Sequence, residues 1–244
     1  MRYDPLPKSL YEKNRKKLYA SLQPGSAVIL TSNDIMPTNG DGTMGFKQNS
    51  DLLYFTGIDQ EETMLILFPD AHRKEHREML FLRETSDEIA IWEGAKFTKE
   101  EATQLNGIEE VHWVDDFDRL LKWVMGEAEQ VYLNHNEHLR RGVPTETQQD
   151  RFAKQLMAEY PTHTYKRLAP IMHRLRSIKE PEEIEVMRQA CGITRDAFRA
   201  ICEFVQPGVM EYEIEALLYH EFLKNRSRGP AYDPIIASGF SACV

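Results

Sequence analysis

The sequence is poor in cysteine. Three cysteines in 244 residues do not form the framework of a disulfide-stabilised domain, which favours a reduced, cytoplasmic compartment. Cys191 and Cys202 are eleven residues apart, a spacing that returns to nearly the same face of a helix. We therefore interpret both as small core residues rather than as a redox or metal pair.

Long apolar runs and a surplus of basic residues are also absent. No run approaches the roughly 20 residues that a membrane-spanning helix needs, and the amino-terminal segment lacks the apolar stretch of a signal peptide. The net charge of −9 argues against a nucleic-acid-binding surface, which requires clustered lysine and arginine. We expect neither a membrane nor a nucleic acid among the partners.

The common short motifs of catalysis are missing as well. The sequence has no glycine-rich phosphate loop, Gly-x-Ser-x-Gly elbow, His-Glu-x-x-His or paired-cysteine zinc motif. His72 and His76 lie in a charged connection, and we interpret them as solvated surface residues. His135 and His138 lack an obvious third ligand, so a surface or loop role is favoured there too.

The first 170 residues alternate between strand-like and helix-like segments. Apolar runs predict strands at 26–31, 52–55, 63–68, 78–82, 88–92, 111–114 and 130–133. Helices are predicted at residues 7–22, from Thr98, whose following acidic residues suit a first turn, and at residues 115–125. Strands interleaved with helices predict an α/β domain with a mixed or parallel sheet.

The pattern changes near residue 170, where helices replace strands. Pro181 and two glutamates predict the start of a long helix, and a second helix is predicted at residues 211–225. Residues 232–239 then look like the beginning of a strand, and the sequence ends at Val244. Two helices and one strand cannot bury their own apolar faces, so we expect an incomplete second domain. We predict domains at 1–172 and 173–244.

A polar segment precedes the second predicted strand. Residues 48–51 read Gln-Asn-Ser-Asp, and residues 39–42 just upstream read Asn-Gly-Asp-Gly, a composition typical of turns. Buried polar side chains must be hydrogen-bonded, because each unpaired group costs roughly 2–7 kcal/mol. For Gln48, Asn49 and Asp51 we favour structural hydrogen bonding over contact with a substrate, and we expect them to brace the loop that carries Asp41.

Four segments together resemble aminopeptidase P, the Xaa-Pro aminopeptidases of the creatinase/prolidase ("pita-bread") superfamily. The first is Gln-Asn-Ser-Asp at 48–51 with Tyr-Phe-Thr-Gly at 54–57, and the second is Ile-Trp-Glu-Gly at 91–94. The third is Arg-Ser-Ile-Lys-Glu-Pro-Glu-Glu-Ile at 176–184. The fourth runs from Pro-Gly at 207–208 to Ile-Ala-Ser-Gly at 236–239. Their order and spacing extend the resemblance over essentially the whole chain.

The resemblance implies a mixed-sheet, creatinase-like amino-terminal domain followed by the start of a pita-bread α+β catalytic domain. It also implies a metallopeptidase that hydrolyses the bond between an amino-terminal residue and a following proline, with two divalent metal ions, usually manganese. Proline-containing peptides would be the substrates, and a homodimer or homotetramer would be the assembly.

Three residues match positions with roles in the family. Tyr232 matches a tyrosine that orients a metal-ligating carboxylate, although a core strand tyrosine is an equal alternative. Trp92 matches a tryptophan that reaches the active site of a neighbouring subunit and contacts substrate; simple packing is the alternative. Asp41 matches an aspartate near the subunit contact, and its alternative is turn chemistry.

The family's five metal ligands, two Asp, one His and two Glu, lie downstream of the segment at 236–239. None falls before Val244, so we expect no metal on this chain and no hydrolysis by this chain alone. Phe240 and Ser241 also depart from a family pair that ends in Asn. Prolidase, which cleaves Xaa-Pro dipeptides, and a non-catalytic creatinase-like module that binds peptides or proteins remain alternatives. The Ile-Trp-Glu-Gly segment favours the aminopeptidase over prolidase.

Overall fold

The structure is a computed structural model that describes residues 4–140, 142 and 144–243. Its contacts divide the chain into two compact units, one of residues 6–178 and one that combines residues 1–5 with residues 179–244. This division between Ile178 and Lys179 is based on contacts between residues. It does not test the domain boundary at 172/173, which stays a prediction. No helix in the described part of the chain is long and apolar enough to cross a bilayer.

The described residues of the larger unit form one six-stranded sheet. The strands are β1 (Ser26–Thr31), β2 (Met64–Leu67), β3 (Glu78–Leu82), β4 (Glu110–Trp113), β5 (Gln130–Leu133) and β6 (Thr164–Arg167). Their order across the sheet is β4-β3-β2-β1-β5-β6. β2 runs antiparallel to both of its neighbours, and the other three adjacent pairs are parallel. The predicted α/β class with a mixed sheet is confirmed.

Helices cover both faces of this sheet. The covering helices are α1 (Lys8–Tyr19), α2 (Ser50–Thr56), α4 (Lys99–Asn106), α5 (Phe117–Glu127), α6 (Gln148–Glu159) and α7 (Ala169–Ser177), whereas α3 (Asp87–Glu93) has no buried residue. Alternate side chains of β1 separate the two cores: Val28 and Leu30 pack with α1, α2, α4 and α7, whereas Ala27 and Ile29 pack with α5 and α6. Because β1 and β2 are buried on both faces, their sequences are continuously apolar instead of alternating.

Two predicted strands of the larger unit are helices. The apolar run at residues 52–55 belongs to α2, because Asn49 caps its amino terminus and Gly57 ends it in the left-handed conformation, with φ of 67°. A Cβ atom on Gly57 would lie 2.4 Å from Oη of Tyr11, so the close approach also requires glycine. A run of four apolar residues fits a buried helical turn as well as a strand, and periodicity cannot separate them.

The run at residues 88–92 is likewise helical. It lies in α3, where Oγ of Ser86 accepts a hydrogen bond from the backbone N–H of Ile89 at 3.2 Å. The predicted helix after Thr98 is confirmed as α4, with a capping box between Thr98 and Glu101. β6, α6 and α7 were not predicted. The sequence of β6 is Thr-Tyr-Lys-Arg, which is too polar to be recognised as a strand from a run of apolar residues.

A buried arginine ties the helices of one face to the sheet. Arg15 in α1 is 2% exposed, and its guanidinium donates to the backbone oxygens of Phe55 and Asn106, each at 2.9 Å. Its Nε donates to the carboxylate of Glu78 at 3.0 Å, and Tyr19 donates to the same carboxylate. The carboxyl-terminal ends of α2 and α4 are thereby joined to α1 and β3.

The smaller unit contains two helices in its described residues, α8 (Pro181–Phe204) and α9 (Glu211–Lys224), and they pack against each other. The predicted starts at Pro181 and Glu211 are confirmed. The strand predicted at residues 232–239 is wrong: residues 232–238 are irregular and lead into a 3₁₀ helix at Gly239–Cys243. A strand needs a neighbour for its backbone groups, and the described part of this unit supplies none.

Burial overturns two further predictions. Cys191 and Cys202 are exposed on α8 instead of buried, whereas Ala197 of the same helix is buried. Exposed apolar side chains such as Met187 and Phe198 lie on the same helix. His76 is buried instead of solvated, since a 3₁₀ turn places its ring 6.5 Å from the ring of Trp123. His72 is exposed, as predicted.

Candidate functional site

The polar segment at 48–51 forms the start of α2 and is held by its own hydrogen bonds. Gln48 is buried, and its Nε2 donates to the backbone oxygens of Ile58 at 3.2 Å and Gln60 at 2.6 Å. Its Oε1 accepts from the backbone N–H of Asn49 at 2.7 Å. The prediction of structural hydrogen bonding is confirmed for Gln48, although the bonds fasten residues 58–60 instead of the loop that carries Asp41.

Asn49 and Asp51 fasten α2 to two other elements. Oδ1 of Asn49 accepts from the backbone N–H groups of Asp51 at 3.0 Å and Leu52 at 3.2 Å, and from Nδ2 of Asn134, which follows β5, at 3.2 Å. Asp51 accepts from Nη1 of Arg176 in α7 at 2.6 Å. The structural role predicted for both side chains is therefore confirmed.

These polar residues border a cavity of about 650 Å³ within the larger unit. Its walls come from residues within 33–36, 44–51 and 134–138, together with the starts of α6 and α7 and with His173 and Arg176 of α7. The first and third segments directly follow β1 and β5, and α7 follows β6, so the cavity lies at the carboxyl ends of three parallel strands. Ligands of open α/β sheets bind at this edge.

Sequence reasoning missed the cavity, although a signal was present. Polar residues follow both strands directly: Ser-Asn-Asp at 32–34 after β1, and Asn-His-Asn-Glu-His at 134–138 after β5. Parallel strands bring their carboxyl ends to one edge, so the two runs meet once β1 and β5 pair. His135 and His138 are exposed, as predicted, and border this cavity.

The acidic side chains at the cavity are paired with arginines. Asp34 pairs with Arg151 of α6, and Glu137 accepts from Nε of Arg167 at 2.8 Å. The Arg167 guanidinium holds the pKa of Glu137 below its usual value. Together with the pair of Asp51 and Arg176, these contacts neutralise all three carboxylates that line the cavity.

Trp92 lies outside the cavity, on α3. This helix has no buried residue, and it presents Ile91 at 78% and Trp92 at 83% exposure. Its carboxyl-terminal end is held by ion pairs: Arg83 donates to both carboxylate oxygens of Glu93, at 2.5 and 2.9 Å. Trp92 therefore projects from a helix that electrostatic contacts, and not apolar packing, attach to the unit.

A second ion pair continues this attachment. The ammonium of Lys96, just beyond α3, donates to the carboxylate of Glu61, and both side chains are nearly buried. Burial by itself would raise the pKa of Glu61, but the hydrogen bond from Lys96 and the charge of Arg83 hold that pKa below its usual value. Glu61 thus stays ionised and anchors the chain on the carboxyl side of Trp92.

Asp41 lies at the exposed tip of a tight loop. The backbone N–H of Thr38 donates to the oxygen of Gly42 at 2.8 Å, and the N–H of Met44 donates to the oxygen of Met36 at 2.8 Å. Met36 and Met44, at the base of the loop, both border the cavity, whereas Asp41 does not. Asp41 and Trp92 thus lie on separate elements of the same unit.

Tyr232 belongs to the smaller unit, where it is 76% exposed in an irregular segment. Nearby, a carboxylate oxygen of Glu211 accepts from the backbone N–H of Ser238 at 2.7 Å and from its hydroxyl at 3.0 Å. These contacts fix the segment at its far end. The role of Tyr232 stays a prediction.

The described residues do not fit a metal centre. Across residues 4–140, 142 and 144–243, no group of three or more His, Cys, Asp or Glu side chains is arranged to hold a metal ion. The carboxylates of the cavity are occupied by arginines, which removes the hard oxygen ligands that a divalent ion would need there.

Comparison with known proteins identifies the family. Residues 11–132 match the model of the aminopeptidase P N-terminal domain, which is half of the chain. The chain belongs to the aminopeptidase P family. Residues 185–244 match the model of metallopeptidase family M24, so the two matches follow each other in the order that the resemblance implied.

Relatives in this family match nearly the whole chain. The Xaa-Pro aminopeptidase of Escherichia coli K12 is 28% identical over 238 residues, which cover 96% of this chain and 53% of the relative. Aminopeptidase PepP of Pseudomonas aeruginosa superposes with a TM-score of 0.86 at 28% identity, over 98% of this chain and 54% of the other. Zinc-substituted E. coli aminopeptidase P in complex with product gives 0.83 at 25% identity, over 99% and 55%. The chain thus spans about half the length of the relatives it matches.

Proposed function

We propose that this chain is the amino-terminal portion of a metal-dependent Xaa-Pro aminopeptidase, which hydrolyses the bond between an amino-terminal residue and a following proline. One observation carries the proposal: the two family models match in sequence order, and the E. coli Xaa-Pro aminopeptidase aligns with 96% of the chain. We propose a cytoplasmic enzyme, in keeping with the low cysteine content.

The catalytic metals belong, in this proposal, to the part of the enzyme that this chain does not cover. Two divalent ions, with manganese as the favoured metal, would supply an activated water and polarise the scissile carbonyl. The support is that the chain spans 53% of the E. coli relative and that its described residues do not fit a metal centre. The chain tested alone is then inactive toward peptides.

Trp92 and Asp41 are proposed to contact substrate in a homo-oligomer, each at the active site of a neighbouring subunit. An exposed tryptophan on a helix without buried residues supports this role for Trp92, because a packing role would bury its ring. The exposed loop tip supports the same role for Asp41. Tyr232 is proposed to orient a metal-ligating carboxylate of the longer enzyme, and its exposure leaves its hydroxyl available.

The decisive experiment compares this chain with the product of the longer reading frame. The longer product with manganese is expected to release the first residue from Arg-Pro-Pro peptides, while the 244-residue chain is expected to release none. Cleavage of Xaa-Pro dipeptides alone would indicate a prolidase instead. No cleavage of either substrate, in a folded longer product loaded with metal, would leave the non-catalytic peptide-binding module as the function.

Replacement of Trp92 tests its role in substrate contact within the longer enzyme. Trp92→Ala is expected to lower kcat/KM at least about tenfold, a loss of about 1.4 kcal/mol in transition-state stabilisation. Trp123→Ala is the matched control. Trp123 lies on α5 and is also partly exposed, but the guanidinium of Arg73 covers its ring. Equal activities of the two variants would show that Trp92 makes no contact with substrate.

A further inference from the structure

α3 is attached to the larger unit in a different way from the other helices of that unit. It is seven residues long, none of its residues is buried, and none belongs to either apolar core of the described residues. Ile91 and Trp92 are instead largely exposed. Apolar packing, which supplies most of the stability of helices in proteins, therefore contributes little to the orientation of α3.

Arg83 supplies a constraint that packing does not. It follows β3 directly, so its backbone continues from the sheet. Its two terminal nitrogens donate to the two carboxylate oxygens of Glu93, at 2.5 and 2.9 Å. Two parallel hydrogen bonds between planar groups restrict orientation as well as distance, which a single contact does not. Glu93 is the residue after Trp92, so the pair constrains the end of α3 from which the indole projects.

A second ion pair holds the chain shortly after α3. The ammonium of Lys96 donates to the carboxylate of Glu61, and both of these side chains are nearly buried. Nη1 of Arg83 lies 3.4 Å from the same oxygen of Glu61, and the ammonium of Lys96 lies 3.9 Å from the carboxylate of Glu93. These four side chains therefore form one connected network, called the Arg83 network below.

Buried side chains fix the main chain that carries Glu61. Nε2 of Gln48 donates to the backbone oxygen of Gln60 at 2.6 Å, and the hydroxyl of Thr63 donates to the same oxygen at 2.8 Å. Both side chains are less than one-tenth exposed. Oε1 of Gln60 in turn accepts from the backbone N–H of Phe97 at 2.8 Å. Glu61 is thus a fixed anchor, and no loop has to be ordered when the network forms.

We propose that Arg83 is a positioning residue for Trp92. Its ion pair with Glu93, within the Arg83 network, sets the direction in which the indole projects from α3. The proposal rests on the proposed function, in which Trp92 contacts substrate at a neighbouring subunit, and it names the side chains that keep the indole in place for that contact. A small misplacement of such a group lowers the rate of an enzyme, whereas the loss of a surface ion pair costs little stability.

Backbone dynamics of the 244-residue chain test the positioning directly. Glu93→Gln keeps the size of the side chain and removes its charge. Glu88→Gln is the matched control, because Glu88 is an exposed glutamate of the same helix that lies outside the network. NMR order parameters of the amides at 91–94 should be near 0.85 in the parent and the control, the value of rigid backbone, and should fall below about 0.6 in Glu93→Gln.

Kinetics of the longer enzyme with Arg-Pro-Pro peptides test whether the ion pair acts through Trp92. Glu93→Gln is expected to lower kcat/KM about fivefold, less than the loss of about tenfold expected for Trp92→Ala. Glu88→Gln should leave kcat/KM unchanged. In the Trp92→Ala background, Glu93→Gln should cause no further loss, because no indole is left to position. Arg83→Gln, which removes the other partner, should reproduce both results.

Three results would overturn the inference. They are unchanged order parameters in α3 after Glu93→Gln, equal losses of kcat/KM with and without the indole of Trp92, and a large fall in the melting temperature of Glu93→Gln. The last result would assign the ion pair to stability. If Trp92→Ala itself leaves kcat/KM unchanged, the proposed contact with substrate is refuted, and the order of α3 alone then decides whether the ion pair positions the indole.

Discussion

Replacement of Arg15 by methionine is the sharpest test of what holds the larger unit together. Arg15 is 2% exposed and donates to two backbone oxygens, of Phe55 and Asn106, and to the carboxylate of Glu78. Methionine preserves much of the side-chain volume and removes all three donors. The variant therefore isolates the hydrogen bonds of the guanidinium from its packing.

The expected loss follows from the groups left without a partner. Phe55 and Asn106 are fully buried, so water cannot replace the guanidinium at their oxygens. An unsatisfied buried acceptor costs about 1–3 kcal/mol, and the removal of one partner from a buried ion pair costs about 3–5 kcal/mol. The Glu78 side chain is 29% exposed and is partly hydrated after the change. We expect the free energy of unfolding to fall by about 3–5 kcal/mol, a large share of the roughly 5–15 kcal/mol typical of a domain.

Tryptophan fluorescence during urea denaturation measures the unfolding of the larger unit, which contains Arg15. All three tryptophans, Trp92, Trp113 and Trp123, lie within residues 6–178, so their signal follows the larger unit alone. The midpoint should move to lower urea with little change in the slope, since the surface exposed on unfolding stays nearly the same.

Arg119→Met is the matched control for loss of an arginine. Arg119 is 62% exposed and pairs with Asp116 on the surface, so its removal should cost no more than about 1 kcal/mol. Arg15→Lys should fall between the two, because an ammonium keeps the charge but cannot span three acceptors as the guanidinium does. The reasoning fails if Arg15→Met costs less than about 1 kcal/mol or no more than Arg119→Met.

Three further predictions concern backbone conformation and pH. Gly57→Ala should lower the melting temperature, because residue 57 has a positive φ and the added Cβ atom would lie too close to Oη of Tyr11. Gly126→Ala should leave the melting temperature unchanged or raise it, because no atom lies within 4 Å of the added Cβ. Burial and a neighbouring carboxylate raise the pKa of Tyr19, so stability should fall above about pH 10, where the unfolded chain loses that proton first. Tyr19→Phe should remove this alkaline slope in urea midpoints. The pKa of Glu61 is lowered, so its stabilisation should be present above an unfolded pKa of about 4.3 and be lost as pH falls through the lower folded value. Lys96→Met should flatten that acid slope, and an unchanged slope would contradict the assignment.

Part of the fold could be predicted from local sequence alone. β1, β2, β3 and β5 are apolar runs bounded by turn residues, a pattern that burial on both faces of a sheet requires. The capped starts of α4 and α8 depend on neighbouring residues, and these too were predicted. The family resemblance rested on the same kind of local information, in four short segments.

Short apolar runs marked the limit of that information. Residues 52–55 and 88–92 were predicted as strands and are helices, because four or five apolar residues satisfy one helical turn as well as a strand. The deciding contacts lie outside the runs: the side chain of Asn49 and the left-handed Gly57 for α2, and the Ser86 cap for α3. The segment at 232–239 lacks the neighbouring strand that its pattern presupposed.

The sequence by itself determined the α/β class, the positions of the long elements and the family to which the chain belongs, because each depends on residues that are close in the chain. Only the tertiary structure decided which polar residues meet. The cavity joins residues near 33, 47, 134 and 173, and no local pattern relates these positions until β1 pairs with β5. The same holds for Arg15, whose partners Phe55, Glu78 and Asn106 are 40 to 91 residues away. Its burial is stable because the folded chain brings three acceptors to one guanidinium.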